Sequence, residues 1–286
     1  MSWLLLSILS ATGIFLCFGL FSRWQLNNKV AIATNYSLAA VAGMWISPFP
    51  AEHLFNSWML LAVFIGLAFV YLFFKMAQLT QEGGMSLGTI SSQMSLVIPV
   101  LLAPLLYDES LGWLRLLGIL LGLASIYLLV QQSVNTELPT PNNAHTTKDA
   151  LIVFIGTGLC TTLLKFTRVH FVTDAMEIGF VAFIFGVSAL SSWWAVIQLK
   201  GLPSRVFWRS VGGGVILGIP NLGSLVFLIR ALATPGLDST IVFPINNVGV
   251  VLLSSVLGWL LFKERLGRAG VWGVGLAVAG VLILTL

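Results

Sequence analysis

The sequence has few charged residues. Only 8% of its 286 positions are Asp, Glu, Lys or Arg, whereas 58% are hydrophobic. Soluble domains carry about 25% charge, which covers the surface that faces water. The scarcity of charge excludes an ordinary water-soluble domain and predicts a chain that uses lipid as its solvent. The net charge of +4 comes from scattered cations that form no basic stripe, so no nucleic-acid partner is expected.

Residues that carry catalysis or bind metals are also scarce. Cys17 and Cys160 lie singly in apolar stretches and are interpreted as packing residues, and the three histidines are isolated, so neither a metal site nor a cofactor is predicted. No GxxxxGK[ST] motif is present, which argues against direct use of ATP. All ten acidic residues fall in predicted loops or near helix ends. Because no carboxylate pair lies at membrane depth, an enzyme is not expected.

Long apolar runs dominate the rest of the sequence. A membrane-spanning helix needs about 20 mostly apolar residues, and the hydropathy pattern predicts ten of them. Their ranges are 2–22, 30–50, 57–79, 84–107, 112–131, 150–171, 177–199, 208–233, 238–262 and 269–286. The polar stretch at 132–149 is predicted to be a linker between a first unit, 1–131, and a second unit, 150–286.

The two units repeat one pattern. Lys75 and Glu109 lie 34 residues apart, and Arg230 and Glu264 have the same separation 155 residues later. Such a repeat outranks any local motif in predicting architecture. Because five spans per unit is an odd number, the second unit must enter the membrane with opposite polarity. The predicted fold is therefore an all-α integral membrane protein with ten transmembrane helices in two inverted five-helix repeats around a central site.

Small residues recur in the last helix of each unit. Gly118 and Gly122 are four residues apart in the first unit, and Gly273, Gly275 and Gly280 lie in the matching helix of the second. Such spacing predicts close helix packing.

Two segments resemble a known family. MSLGTISSQMSLVIPVLLAPLLYDESLGWLRLLGILLG, at 85–122, and VFPINNVGVVLLSSVLGWLLFKERLGRAGVWGVG, at 242–275, each join an apolar helix to a glycine-rich helix through a turn that contains glutamate. This arrangement is similar to the end of each repeat in the EamA-like branch of the drug/metabolite transporter superfamily. One departure is that 2–22 contains no acidic residue, whereas small four-helix relatives carry a proton-coupling glutamate in their first helix.

The resemblance implies a multi-pass protein of the bacterial inner membrane with a cavity between its halves. The expected function is secondary transport, as an exporter or exchanger, of a small metabolite such as an amino acid. The alternative is a lipid flippase or a membrane-embedded enzyme that acts on lipid head groups. The expected partners are the small-molecule substrate and membrane lipids, and a homodimer is kept open.

Neutral polar side chains in predicted spans are the first candidates for substrate binding, because polar groups are costly in lipid. Gln93 lies in the middle of the fourth span, Asn221 follows Pro220, and Asn246 and Asn247 follow Pro244. A proline frees backbone carbonyls, which membrane proteins tolerate mainly beside a cavity. Each amide could instead join two helices by a hydrogen bond.

Two cations and several aromatic residues complete the candidates. Lys75 and Arg230 lie near span ends, where each either extends to the membrane interface or meets an anionic substrate group at opposite mouths of the cavity. Tyr71 is a candidate for an apolar cavity wall. The other candidate wall residues are Phe74, Phe227 and Phe243, and the tryptophans predicted at the membrane interface are Trp45, Trp58, Trp208 and Trp272.

Glu109 and Glu264 each precede a predicted span closely. A carboxylate at that point is predicted to bind the free N–H groups of the helix that follows, with a gate contact as the alternative. Membrane orientation stays open. The odd-numbered connections hold ten of the 14 cations, which places them in the cytoplasm, whereas the family resemblance implies that the termini are inside.

Overall fold

The computed structural model describes residues 2–46, 58–107, 112–135, 143–172, 177–232, 234, 239–264 and 267–284. These residues form α-helices and one 3₁₀ turn, and the described part of the chain contains no strand. The helices are α1 Ser2–Arg23, α2 Asn28–Ile46, α3 Trp58–Glu82, α4 Met85–Gln93, α5 Val97–Tyr107, α6 Trp113–Asn135, α7 Asn143–Phe171, α8 Glu177–Ile197, α9 Ser204–Leu232, α10 Ser239–Phe262 and α11 Arg268–Leu284.

Seven helical segments are long and apolar enough to cross a membrane: Ser2–Arg23, Trp58–Glu82, Met85–Leu102, His145–Phe171, Ile178–Ile197, Ser204–Leu228 and Ile245–Phe262. Two shorter apolar helices are Leu116–Gln131 and Arg268–Ile283. The prediction of an all-helical chain with several membrane spans is confirmed for the described residues. The count of ten spans stays a prediction.

The second predicted span, α2, falls outside these seven because polar residues interrupt it. The structure gives these residues partners in the protein interior. The Thr34 hydroxyl donates to the Val30 carbonyl at 2.9 Å, and the Tyr36 hydroxyl donates to the Phe69 carbonyl at 3.2 Å. Since α2 packs against α8 and α9, its polar face does not contact lipid.

The predicted fourth span, 84–107, is broken. Helix α4 ends at Gln93, a 3₁₀ turn occupies Met94–Leu96, and α5 begins at Val97. Pro99 explains the break. In a continuous α-helix its ring would clash with the carbonyl of Ser95, and proline has no N–H to donate to that carbonyl. The break gives this segment a point at which its two halves can change angle.

The predicted linker is shorter than the sequence suggested. Helix α6 continues to Asn135 and α7 begins at Asn143, so helix occupies both ends of the polar stretch 132–149. The polar residues that begin α7 include Asp149, which is 3% exposed. Burial of this carboxylate is explained by its ionic partner inside the protein, Lys75, described below.

Glycine brings helices close together where the repeat predicted it. A Cβ atom on Gly280 would lie 3.1 Å from the Gly122 nitrogen and 3.2 Å from the Gly118 carbonyl oxygen, so α6 and α11 meet almost backbone to backbone. Gly275 does not take part, since nothing lies within 4 Å of the corresponding position.

The outer surface of the bundle is apolar. Trp45 is 88% exposed, and Trp208 and Trp272 are also exposed, as an interfacial location requires. The prediction was wrong for Trp58. Trp58 is buried and packs edge to face against Phe180 and Phe183.

Candidate functional site

A central cavity of about 370 Å³ lies where helices from both halves meet. Helices α1, α2 and α3 line it from the first half, and α7, α8, α9 and α10 from the second. Its polar residues are Ser7, Tyr36, Thr157, Asn221, Ser224 and Asn246, and the other residues that line it are apolar or aromatic. No charged side chain is among the described residues that line this cavity.

Two of the predicted amides belong to this cavity. Asn246 is 7% exposed, and its Oδ1 accepts a hydrogen bond from the Ser7 hydroxyl at 2.9 Å. Asn221 donates from Nδ2 to Oδ1 of Asn35 at 3.1 Å. The Ser7 hydroxyl also lies 3.3 Å from the Ser224 carbonyl, and the Ser224 hydroxyl donates to the Asn221 carbonyl at 2.8 Å, so hydrogen bonds connect α1, α2, α9 and α10 beside the cavity.

An aromatic wall, formed by Tyr36, Phe73 and Phe185, also lines the cavity. Tyr36 lies 5.4 Å from Phe73 and 5.9 Å from Phe185 between ring centroids, and all three line the cavity. Sequence reasoning missed Tyr36. The available signal was a tyrosine within a stretch of alternating small and polar residues in the second predicted span.

Two buried polar atoms at the cavity have no hydrogen-bond partner in the described part of the chain. They are Oγ1 of Thr157, which lines the cavity, and Nδ2 of Asn35, which lies behind Asn221 and whose Oδ1 accepts from it. Leaving such an atom without a partner costs about 1–3 kcal/mol. A ligand or a water molecule in the cavity would satisfy the Thr157 hydroxyl.

Lys75 forms an ion pair inside the protein. Its Nζ lies 2.8 Å from Oδ1 of Asp149, and the Lys75 and Asp149 side chains are 23% and 4% exposed. Nζ also donates to Oε1 of Gln78 at 3.2 Å. The ion pair joins α3 of the first half to α7 of the second. In this structure Asp149 therefore stands where an anionic substrate group was predicted to meet Lys75.

Arg230, the predicted repeat counterpart of Lys75, is exposed. Its guanidinium lies 4.8 Å from the centroid of the Trp3 ring, and Trp3 in turn stacks on Phe227. The two equivalent cations therefore have different partners: a buried carboxylate for Lys75 and an aromatic face for Arg230.

The other predicted residues lie elsewhere. Tyr71 is 52% exposed and lines a second, lateral groove of about 620 Å³ between α3, α5 and α7. Gln93 is the last residue of α4 and Asn247 follows Asn246, and neither is among the described residues that line the central cavity. The same holds for Phe74, Phe227 and Phe243.

Glu264 binds a helix terminus, although not the one predicted. Its carboxylate accepts hydrogen bonds from the backbone N–H of Met85, from the hydroxyl of Ser86 at 3.0 Å and from the backbone N–H of Ser86 at 3.3 Å. These groups begin α4 in the first half, whereas the prediction named the following helix, α11. Tertiary packing brings α4 closer than the next helix along the chain. Glu109 lies outside the described residues.

The chain is similar in sequence to known proteins. It is 25% identical over 224 residues to an uncharacterized protein of Haemophilus influenzae, a match that covers 77% of this chain and 73% of that protein. It is 27% identical over 100 residues to the spermidine export protein MdtI of Shigella flexneri, covering 34% of this chain and 92% of that protein. No family model matches the chain.

A solved crystal structure has the same fold. It has 16% sequence identity, a TM-score of 0.56 and coverage of 98% of both chains. Together with the seven apolar segments, the similarity to a membrane exporter indicates a multi-pass membrane protein, and its helical architecture fits a transporter.

Proposed function

We propose that this protein is a secondary transporter, an exporter or exchanger, that moves a small amphipathic metabolite by alternating access around the central cavity. The observation that carries the proposal is the cavity itself. It lies between the two halves, and amides, hydroxyls and aromatic rings line it together. A site between repeats suits a transporter, since movement of one half against the other exposes it to each side in turn.

The helix packing supports two inverted five-span repeats, with α4 and α5 counted as one span. Under that correspondence α1 matches α7, α2 matches α8, α3 matches α9, α4 with α5 matches α10, and α6 matches α11. The contacts of α2 with α8, α4 with α10 and α6 with α11 each map onto themselves. The contact of α1 with α9 maps onto that of α7 with α3, as a pseudo-two-fold axis requires.

Membership of the drug/metabolite transporter superfamily, and location in a bacterial inner membrane, belong to the same proposal. The 100-residue match to the spermidine exporter covers 92% of that protein, which is therefore shorter than one half of this chain. This relation fits a duplicated unit. The repeated glutamate turn and glycine-rich helix support the same grouping.

The cavity favours a substrate without net charge. A polycation such as spermidine would gain most from carboxylates, and none is among the described residues that line the cavity. Neutral amides and hydroxyls can hydrogen-bond one polar end of a molecule, and the aromatic wall can cover an apolar end. A small neutral or zwitterionic metabolite fits this lining better than a polyamine.

Asn246→Ala is expected to lower transport at least tenfold. The change removes the amide that faces the cavity and leaves Ser7 without its 2.9 Å acceptor. Asn247→Ala is the matched control, because Asn247 is the adjacent amide and does not line the cavity. The measurement is counterflow of radiolabelled metabolites in liposomes, after a thermal-shift screen for compounds that stabilise the purified protein. Equal activity of the two variants would place the substrate outside this cavity.

A lipid flippase is the second candidate, because the lateral groove favours it. Mainly apolar side chains of α3, α5 and α7 line the groove, and Leu72 lines both it and the central cavity. A flippase would move fluorescent phospholipids between leaflets, and Leu72→Trp would slow that movement by blocking the route between groove and cavity. If liposomes transport a metabolite but do not move phospholipids between leaflets, the protein is not a flippase.

A further inference from the structure

A polar recess of about 190 Å³ lies at the end of the bundle where α1, α3 and α10 end and α4 begins. Gln81, Gly84 and Met85 line it from the first half, and Phe262 and Glu264 from the second. The Glu264 carboxylate spans this junction. It accepts its three hydrogen bonds from Met85 and Ser86, so one carboxylate holds the start of α4 against the end of α10.

The local backbone is built to receive this carboxylate. A Cβ atom on Gly258 would lie 2.5 Å from Oε2 of Glu264, and one on Gly84 would lie 3.1 Å from Oε1. Lys263 has φ of 57°, which turns the chain after α10, and the Glu264 N–H donates to the Gly258 carbonyl at 3.1 Å. The Glu264 side chain is positioned by Gly258, Gly84 and the turn at Lys263.

The recess lies one helical turn from the central cavity. Met76 lines the cavity and Thr80, four residues further along α3, lines the recess, a rise of about 6 Å. Phe73 lines the cavity, and its ring meets that of Phe18 edge to face at 5.2 Å between centroids. The contact between Glu264 and α4 therefore lies beside the part of the cavity that Met76 lines.

A break in the helix separates α4 from the rest of its span. The 3₁₀ turn at Met94–Leu96 separates α4 from α5, so α4 can tilt without moving the rest of the span. Helix α4 packs against α10 of the second half as well as against α3. Loss of its N-terminal anchor would loosen the junction between the halves at this end.

Two other charged side chains line the recess among the described residues. Arg23 donates to the Leu261 carbonyl at 2.6 Å and lies 4.6 Å from the Phe262 ring centroid. Glu82 is exposed and accepts a hydrogen bond from Gln78 at 3.1 Å. Burial raises the pKa of Glu264 above 4.5, and the hydrogen bonds from Met85 and Ser86 lower it in part. The raised pKa brings protonation of Glu264 nearer to physiological pH.

We propose that Glu264 binds a proton and that its protonation releases α4 from the second half, which opens the cavity toward this end of the bundle. The proposal rests on the proposed transport function and names the proton as the coupling ion. Protonation converts one carboxylate oxygen from an acceptor into a donor. That oxygen then faces the Ser86 N–H as a second donor, and the attraction of a negative charge to the helix N-terminus is lost.

The test measures the distance between two spin labels, one at Glu82→Cys and one at Leu261→Cys, with Cys17 and Cys160 changed to alanine. Both label positions are exposed, and they lie on opposite halves beside the recess. As pH falls from 8 to 4 without substrate, a longer distance should appear with a midpoint above 4.5. Glu264→Gln, which resembles the protonated side chain, should show the longer distance at every pH.

Ser86→Ala keeps the Glu264 carboxylate and removes the hydroxyl that donates to its ionised form. The midpoint of the distance change should therefore rise by about one pH unit. This variant also tests the proposal if Glu264→Gln does not fold. A distance that is independent of pH, a pH response that persists in Glu264→Gln, or an unmoved midpoint in Ser86→Ala would each overturn it. Because the assay contains no substrate, failure to transport would leave its result unaffected and would count against the proposed function alone.

Discussion

Lys75→Met is expected to lower the free energy of unfolding by about 2–4 kcal/mol. The substitution leaves the carboxylate of Asp149, 4% exposed, without the cation that lies 2.8 Å away. Breaking a buried ion pair costs more than the pair contributes, because the remaining charge stays desolvated. Since the Lys75 side chain is 23% exposed, the effect is placed toward the lower end of the range for fully buried pairs.

Arg230→Met is the matched control, because the repeat makes Arg230 the equivalent of Lys75. Its exposed cation–π contact with Trp3 predicts a loss of about 0.5–1 kcal/mol. Lys75→Met/Asp149→Asn should recover part of the stability, since it removes the unpaired charge. Thermal unfolding can be followed with a thiol-reactive dye, because Cys17 and Cys160 are buried and become reactive on unfolding. Equal losses at 75 and 230 would contradict the ion-pair interpretation.

Gly214→Ala is expected to destabilise the protein by about 1–3 kcal/mol through overpacking. A Cβ atom at 214 would lie 2.4 Å from the Ala31 carbonyl oxygen and 2.5 Å from Cβ of Thr34, where α9 crosses α2. The first of these is a backbone atom, which cannot rotate away. The helices themselves would have to separate.

Gly212→Ala is the control for that change. Gly212 lies two residues earlier in the same helix, with nothing within 4 Å of its Cβ position. Alanine there should be neutral or stabilise by up to about 1 kcal/mol, because alanine has the higher helix propensity. The same thermal assay compares the two variants. A Gly214→Ala protein as stable as Gly212→Ala would mean that α2 and α9 do not meet this closely.

The polar candidates show how far sequence reasoning reached. The argument that amides are costly in lipid selected Asn221 and Asn246, and both line the central cavity. The same argument selected Asn247 and Gln93, which do not. Successive residues of a helix point about 100° apart, so neighbours such as Asn246 and Asn247 face different surroundings. Composition and position along the span do not distinguish them.

The repeat shows a second limit. It marked Lys75 and Arg230 as counterparts, and it offered the same two alternatives for each, the membrane interface or an anionic substrate group. Their partners differ because Asp149 begins α7 beside Lys75, whereas Trp3 near the start of α1 lies beside Arg230. Two positions that correspond in sequence are expected at the same place within their own repeats. The correspondence does not predict which segment of the other repeat packs against each of them.

The sequence by itself determined the properties that depend on neighbouring residues. Low charge and long apolar runs required a helical protein in lipid, and the spacing of glycine and glutamate revealed a duplicated pattern. The tertiary structure decided every long-range partner. Ser7 meets Asn246 across 239 residues, Lys75 meets Asp149 across 74, and Ser86 meets Glu264 across 178. Hydropathy reports how each helix partitions between water and lipid. The rotation of each helix, and the neighbour it faces, depend on packing between the halves.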